Sequence, residues 1–368
     1  MKICHICSNY DAFFTDFMDF QARNGVDLRV FYFRVIERGF PKVSAPYLDI
    51  RLNYRNWHRF FFRLKEKLVL RDFMELYNNK KFDLIHAHTL FSNGYIALQA
   101  KKHWGIPFVV AVRDVDINIF FKYRLTLRGL GIKVLKEAEK VVFLSSEYRD
   151  QLFEKYVPYK YREKFLEKSV IIPNGINEIF HNNKYERGRK IDKLEPIRIL
   201  TVGYISKRKN QLTVCKAIEE LHKRGLKATY TVIGKPLDDR LLKKILSYPF
   251  VRYVPFIPKE KLIKEYRKAH ILVLPSTRET FGLVYAEAMS QGLPIIYTRG
   301  QGFDGQFDEG VVGYSVDCHD DQEIASKIEL IIGNYSRISA NCTSLVQKFN
   351  WEKIGKQYID IYKGILKG

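Results

Sequence analysis

Two glutamates, Glu279 and Glu287, flank a turn whose backbone is set up to meet an anion. They lie in ILVLPSTRETFGLVYAEAMSQGLPII, residues 271–296. Ala286, Ala288 and Met289 suit a short helix, which Gly292 and Pro294 stop. Thr280 is expected to cap the helix start, and Gly282 permits close backbone approach. Phe281, Gly282, Leu283 and Val284 then present free amide N–H groups, and a helix N-terminus of this kind favours bound phosphate. Neither carboxylate can welcome phosphate, so each reads as an acceptor for hydroxyl groups. Amides for phosphate beside carboxylates for hydroxyls describe a nucleotide-sugar site. The bland alternative is a strand–helix–strand unit with two solvated glutamates.

A second group of chemical side chains follows the strand-like run 197–202, in Gly203-Tyr-Ile-Ser-Lys-Arg-Lys-Asn210. A basic residue in a Gly-opened strand–helix loop can neutralise a departing diphosphate as a glycosidic bond breaks. The alternative is a solvated Lys-Arg-Lys loop. Upstream, Asp83-Leu-Ile-His-Ala-His88 and Arg113-Asp-Val-Asp116 lie at the ends of buried-strand runs, where ligands of open α/β sheets gather. Arg113 stays protonated and is no general base, but it suits a phosphate or an acceptor carboxylate. Asp114 and Asp116 mimic a D-x-D metal motif, yet nothing else completes a Mg²⁺ site and no metal is expected. Cys4 and Cys7 form a C-x-x-C inside an apolar strand. A redox pair usually opens a helix, and no second pair completes a zinc site.

The elements that must position these groups fall into two series. Residues 2–8, 13–24 and 28–33 read as strand, helix and strand, a β-α-β start of the Rossmann kind. Strands at 107–112 and 141–145 follow, and Asn174-Gly175 makes a tight turn. A polar, charged stretch around 184–196 reads as a linker. A second series begins at residue 197, with a strand ending at Gly234, another at 251–255 and a helix at 259–269. The expected division is a domain over 1–183, joined by a final helix within 350–368, and a second domain over 197–349.

The chain has 368 residues, 62 Lys and Arg against 41 Asp and Glu, and a formal net charge of +21. Nucleic acid, an anionic membrane surface and anionic substrates are the partner classes such charge admits. No run of about 18 apolar residues occurs, so no transmembrane helix is expected. The strand-like start MKICHICS carries no signal-peptide pattern, and five cysteines, an odd count, fit a reducing cytosol. The basic excess is densest over 51–77, where Arg51, Arg55, Arg59, Arg63, Lys67 and Arg71 recur every four residues. Trp57, Phe61, Leu64 and Leu68 recur at the complementary spacing, which predicts a basic amphipathic helix. Its apolar stripe is expected to pack on the domain's own sheet. Its outward face, with Arg55, Arg59, Phe60, Phe62 and Arg63, is expected to meet anionic lipid, each charge contributing ~1 kcal/mol near the surface.

The 271–296 stretch resembles the E-x7-E signature, in its E-x-F-G-x-x-x-x-E form, of the GT4-type retaining glycosyltransferases (group 1). The resemblance implies the α/β GT-B fold: two Rossmann-like domains facing a central cleft, with a C-terminal helix crossing back to the first. It implies that Glu287 binds the ribose, Glu279 contacts the donor sugar, and the Phe281–Val284 amides hold the diphosphate. Ile171-Ile-Pro-Asn-Gly-Ile176 is similar to the family's V-x-P-N-G segment, and Gly203–Asn210 to its V-G-x-x-x-x-x-K-G/N loop. That likeness puts Lys209, aided by Arg208, on the diphosphate, with Gly203 in the donor loop and Gly234 beside the base. Asp83–His88 resembles the D-x-I-H-x-H strand end, so His88, Arg113 and Asp116 are the implied acceptor-side residues. The chain departs from the pattern at three places. Ser8-Asn9-Tyr10-Asp11 replaces a Gly-Gly, Tyr204 stands where the family has Arg, and Arg113 where it often has His.

The implied activity is metal-independent, hexosyltransferase-like transfer from a nucleotide sugar, a UDP-sugar foremost, to a glycan or lipid-linked acceptor of the cell envelope. The implied place is cytoplasmic, peripheral on the inner face of the membrane. A GT-B-fold epimerase or phosphorylase keeps the fold and changes the chemistry. Nucleic-acid binding rests on charge alone and has no recognisable module behind it.

Overall fold

The computed structural model describes residues 1–10, 12–78, 80–186, 188–192 and 195–367. Asp11 of the first loop, Asn79, Arg187, Lys193 and Leu194 of the expected linker, and Gly368 lie outside the described residues. The chain divides into two compact units. One contains Met1–Leu144, Tyr148–Pro173 and the last helix, Trp351–Lys367; the other contains Ser145–Glu147 and Asn174–Asn350.

The first unit is built on seven parallel strands: β1 (Lys2–Cys7), β2 (Asp27–Val35), β3 (Leu48–Tyr54), β4 (Leu84–Ala87), β5 (Phe108–Ala111), β6 (Lys140–Phe143) and β7 (Ser169–Ile171). Their order is β3-β2-β1-β4-β5-β6-β7. Apolar layers cover both faces, which is why the central strands are continuous apolar runs rather than alternating ones. Strand alternation sends Cys4 into one layer and Cys7 into the other, so this C-x-x-C cannot close on itself. The helix Trp351–Lys367 packs on the helix Ala12–Arg23. Phe17 lies 4.9 Å from the Tyr358 ring, and Gly355 seats so closely on Phe20 that a Cβ would come within 2.1 Å of that ring.

The single basic helix expected over 51–77 is not found. Arg51 lies in β3, which pairs with β2, and donates to Asp72 at 2.5 Å. A 3₁₀ turn, Asn56–Phe60, follows, and the α-helix starts only at Phe62 and runs to Tyr77. The four-residue arginine spacing imitates a helix across a strand–turn–helix junction. The inward face is therefore set by 62–77 alone: Lys65, Glu66, Val69, Phe73 and Tyr77 are buried. Of the stripe expected to pack inward, Leu68 touches the core, while Trp57, Phe61 and Leu64 are exposed. Phe62, expected to face lipid, instead packs partly buried against the core, its ring 5.5 Å from Phe120.

The second unit holds six parallel strands: β8 (Ile197–Val202), β9 (Ala228–Ile233), β10 (Val251–Val254), β11 (Ile271–Val273), β12 (Ile295–Thr298) and β13 (Gly313–Val316). Their order, β10-β9-β8-β11-β12-β13, reverses direction between β8 and β11, as the first sheet does between β1 and β4. Both sheets thus have the Rossmann-type order, and ligands of such sheets bind where the order reverses. Among the described residues no helix is long and apolar enough to cross a membrane.

Candidate active site

In the second unit the singled-out residues converge on that reversal point. Gly203–Asn210 follow β8, Gly234 follows β9, and Glu279–Glu287 follow β11. Asn210 takes a left-handed backbone, φ 60°, which asparagine tolerates better than most side chains. Its side-chain amide donates to the carbonyls of Pro275 (3.1 Å) and Cys318 (2.6 Å), and the Thr277 N–H donates to the Arg208 carbonyl (2.8 Å). These bonds fasten the β8 loop to the segment after β11. The fastened turn carries Lys209 back over Gly203, where a Cβ would lie 3.4 Å from Lys209 Cε. Gly203 in turn sits against Gly234, whose missing side chain leaves room for the Gly203 carbonyl. The Lys209 ammonium ends on the Glu279 carboxylate, and both residues are only 8% exposed. The Ser276 hydroxyl donates to the same carboxylate at 3.3 Å. The Arg208 side chain is exposed.

The helix that carries Glu287 spans Leu283–Ser290. Thr280 does not cap it. The capping position belongs to Gly282, at φ 79° and ψ 69°, with no side-chain cap. The left-handed turn is tight because the Tyr285 ring lies beneath it; a Cβ on Gly282 would meet that ring at 2.3 Å. Tyr285 is pinned by its hydroxyl, which donates to the Leu274 carbonyl at 2.6 Å. The amides of Gly282, Leu283 and Val284 meet no acceptor among the described residues. Phe281 is buried, its ring 5.7 Å from Phe303. Glu287 accepts a 3.0 Å hydrogen bond from the Tyr266 hydroxyl, and burial pushes its carboxyl up to about 7. The sequence reading missed Tyr266, Tyr285, Gln301 and Gly302. Gln301 accepts the Glu279 N–H at 2.9 Å, and the Gly302 N–H donates to the Glu279 carbonyl at 3.2 Å. The Arg-Gly-Gln-Gly run after β12 was the available signal for this clasp.

His88, Arg113 and Asp116, the residues expected on the acceptor side, are in the first unit. Arg113 is partly buried; its Nε donates to the His88 carbonyl at 3.3 Å, and it also hydrogen-bonds Tyr358. The Asp116 carboxylate accepts the amides of Leu90 (3.0 Å), Phe91 (3.3 Å) and Arg113 (2.9 Å). It therefore fastens the loop after β4 rather than opening to a ligand, and burial raises it to about 6. His88 joins His5 and His86 in a buried stack that the sequence reading did not foresee, though alternate positions 86 and 88 on one strand face were its signal. The Gln21 side-chain carbonyl accepts from His5 Nε2 (3.2 Å), which leaves His5 Nδ1 to accept from His88 Nε2 (3.0 Å). His86 Nδ1 lies 2.6 Å from the Tyr362 hydroxyl. Burial lowers all three imidazoles, His5 to about 3, so all are neutral. The His86 and His88 rings are 4.1 Å apart and 23° from parallel. One ring nitrogen from each of the three lies within 4.8 Å of the others, near enough to surround a metal ion, although His5 and His88 share a hydrogen bond between Nδ1 and Nε2.

Two parallel sheets of this order, with the last helix returning to the first unit, define the GT-B fold, and solved structures agree. Sucrose-phosphate synthase from Thermosynechococcus elongatus superposes with a TM-score of 0.77 at 18% identity, covering 100% of this chain and 99% of that one. Anabaena HepE in complex with UDP-glucose superposes with a TM-score of 0.68 at 15% identity, covering 99% and 100%. The family profile described as Glycosyltransferase Family 4 matches residues 13–178, and the one described as Glycosyl transferases group 1 matches 183–344. The chain belongs to the GT4 family of glycosyltransferases. D-inositol 3-phosphate glycosyltransferase of Rhodococcus jostii is 24% identical over 77% of this chain and 66% of that protein. Alpha-monoglucosyldiacylglycerol synthase of Acholeplasma laidlawii is 27% identical over 67% and 66%. The chain thus spans about two thirds of the length of these curated relatives.

Proposed function

We propose that this protein is a retaining, metal-independent glycosyltransferase that moves a sugar from a nucleoside-diphosphate sugar, a UDP-sugar foremost, to an acceptor hydroxyl. The observation that carries the reading is the Lys209–Glu279 pair set beside the uncapped amides of Gly282–Val284. An arriving diphosphate offers Lys209 a more highly charged partner. It thereby leaves the Glu279 carboxylate to accept hydrogen bonds from sugar hydroxyls, while the amides receive the phosphate oxygens. Glu287, oriented by Tyr266, is the ribose acceptor. As the glycosidic bond breaks, charge grows on the diphosphate, where Lys209 and the helix amides receive it and the exposed Arg208 of the same loop assists. The departing phosphate oxygen takes the acceptor's proton on the same face, so no enzymic nucleophile is required. The complex of HepE with UDP-glucose supports the choice of donor class.

The acceptor side is assigned to the first unit, with Arg113 and the loop after His88 as its candidate contacts. Its basic surface, and a relative named for a glycosylated diacylglycerol, support a lipid-linked acceptor at an anionic membrane surface, in cell-envelope synthesis. A thermal-shift screen against UDP-, GDP-, ADP- and CMP-sugars tests the donor assignment. A rise with UDP-sugars is expected, and no rise with any of the four overturns the reading.

A further inference from the structure

The first unit carries an apolar surface that its own fold leaves uncovered. Trp57, Phe60, Phe61 and Leu64 are 50%, 76%, 60% and 41% exposed. They occupy the 3₁₀ turn Asn56–Phe60 and the start of the helix Phe62–Tyr77. The turn is held firmly, since the Arg55 N–H donates to His58 Nδ1 at 2.8 Å and the Trp57 ring lies 6.2 Å from Phe61. Two other segments extend the surface. The Glu37 carboxylate accepts the Asn56 N–H at 3.1 Å, which ties the turn to the segment that holds the exposed Ile36 and Phe40. The Phe62–Phe120 contact ties this helix start to the segment that goes on to the exposed Tyr123 and Leu125. Arg55, Arg59, Arg63 and Lys67, with Lys122 and Arg124, are all exposed around these apolar tips. Neither 55–64 nor 120–128 contains an Asp or a Glu; in 36–40 the one acid is Glu37, whose carboxylate takes the Asn56 N–H.

The geometry points to this surface as a docking face for an anionic lipid bilayer, in which Trp57, Phe60 and Phe61 enter the headgroup–acyl boundary and the surrounding arginines and lysines meet lipid phosphates. The charge pattern selects the occupant. A second copy of the chain would set arginine against arginine. An acidic soluble partner would satisfy the cations but give three projecting aromatic side chains no apolar medium. Aromatic tips ringed by cations match the layered chemistry of a bilayer surface, apolar below and anionic above. The inference names the surface that would bring the enzyme to the lipid-linked acceptor suggested above. It rests on that reading only for the acceptor, because docking needs neither donor nor catalysis.

Co-sedimentation with phosphatidylcholine vesicles, with and without phosphatidylglycerol, at low and high salt, tests it. Wild type should bind the phosphatidylglycerol vesicles at low salt, weaken as salt rises, and ignore phosphatidylcholine alone. Phe60→Ser with Phe61→Ser should weaken binding at least about tenfold, and Arg59→Glu with Arg63→Glu should abolish the preference for phosphatidylglycerol. Both pairs lie on the surface, so unchanged thermal melts and unchanged UDP-sugar binding accompany the expected result. Trp57 emission should shift blue on the vesicles and be quenched by brominated acyl chains, a response absent in Trp57→Phe. Absence of binding at low salt, equal binding by the Phe60/Phe61 variant, binding to heparin but not to vesicles, or a wild-type dimer that this variant dissolves would each overturn the proposal.

Discussion

The Lys209 ammonium and the Glu279 carboxylate meet although their loops follow different strands, β8 and β11, and both are almost wholly withdrawn from solvent. Withdrawing one partner leaves the other charge buried alone, at a cost of about 3–5 kcal/mol. Withdrawing both removes that penalty. Lys209→Ala and Glu279→Ala should therefore each lower the melting temperature and reduce sugar transfer by about 10²–10³-fold. The double variant should recover stability over either single one without recovering transfer. Melts and turnover measured together check this, and full transfer by both single variants would sink the catalytic assignment.

Glu287 is held at about 7, above the 4.5 usual for a free glutamate, chiefly by burial. The folded carboxyl therefore keeps a proton that the unfolded one releases. The corresponding stability is complete below about 4.5 and is lost as pH rises through about 7. Glu287→Gln should then stabilise the protein at pH 8, by on the order of 1–3 kcal/mol, with the gain shrinking toward pH 4.5. Urea unfolding at pH 5 and pH 8 measures it. Nucleotide affinity should improve between pH 6 and 8 in the wild type as the carboxylate ionises, and stay flat in the variant.

The stacked imidazoles act in the opposite sense. His5 is lowered to about 3 and His86 and His88 well below 6.5, all mainly by burial. The unfolded chain takes up these protons first, so stability is complete above about 6.5 and is lost as pH falls below it. With three groups the loss approaches about 4 kcal/mol per pH unit at its steepest. Unfolding midpoints at pH 7, 6 and 5 should fall accordingly, and a flat profile over that range would contradict the neutral stack.

Gly282 holds a left-handed turn with the Tyr285 ring pressed beneath it. Gly282→Ala must either tilt the helix start or push Tyr285 off the Leu274 carbonyl. The expected result is a rise in KM for the nucleotide sugar of at least about tenfold, with a melting temperature lowered by a few degrees. Unchanged KM would show that these amides do not hold the diphosphate.

Asp116 uses its carboxylate on three backbone amides, and Asp114 accepts from the Asn118 side-chain amide at 2.7 Å. Neither is arranged for Mg²⁺. Transfer should persist after dialysis against EDTA, and loss of activity that Mg²⁺ restores would refute metal independence.

Much of this architecture could be read from residue patterns, because buried parallel strands are apolar runs and the loops after β8 and β11 keep their chemistry within a few adjacent positions. Lys209 and Glu279 were each visible, but their mutual contact was not, since it depends on the left-handed turn at Asn210. The Gly282 cap was misassigned to Thr280 for a related reason: capping by a hydroxyl is a local rule, and here the packing of Tyr285 under the turn outweighs it. The segment from Arg51 to Phe62 failed differently. A four-residue charge repeat crosses a strand–turn–helix junction without a break, and nothing local marks where one period gives way to the next. The pairing of β3 with β2 makes that decision, and it comes from residues some twenty positions upstream.

The returning helix has a consequence for how the protein is made. A ribosome releases residues in order, so all of β8 to β13 has been synthesised before Gly355 can seat on Phe20 or Tyr362 can reach His86. The portion that emerges first is therefore the portion finished last, in contrast to the usual order in which an amino-terminal domain completes itself during translation. Until the residues beyond 350 arrive, Phe17 and the histidine stack lack their cover, and the nascent chain offers chaperones an apolar seam that the mature protein conceals.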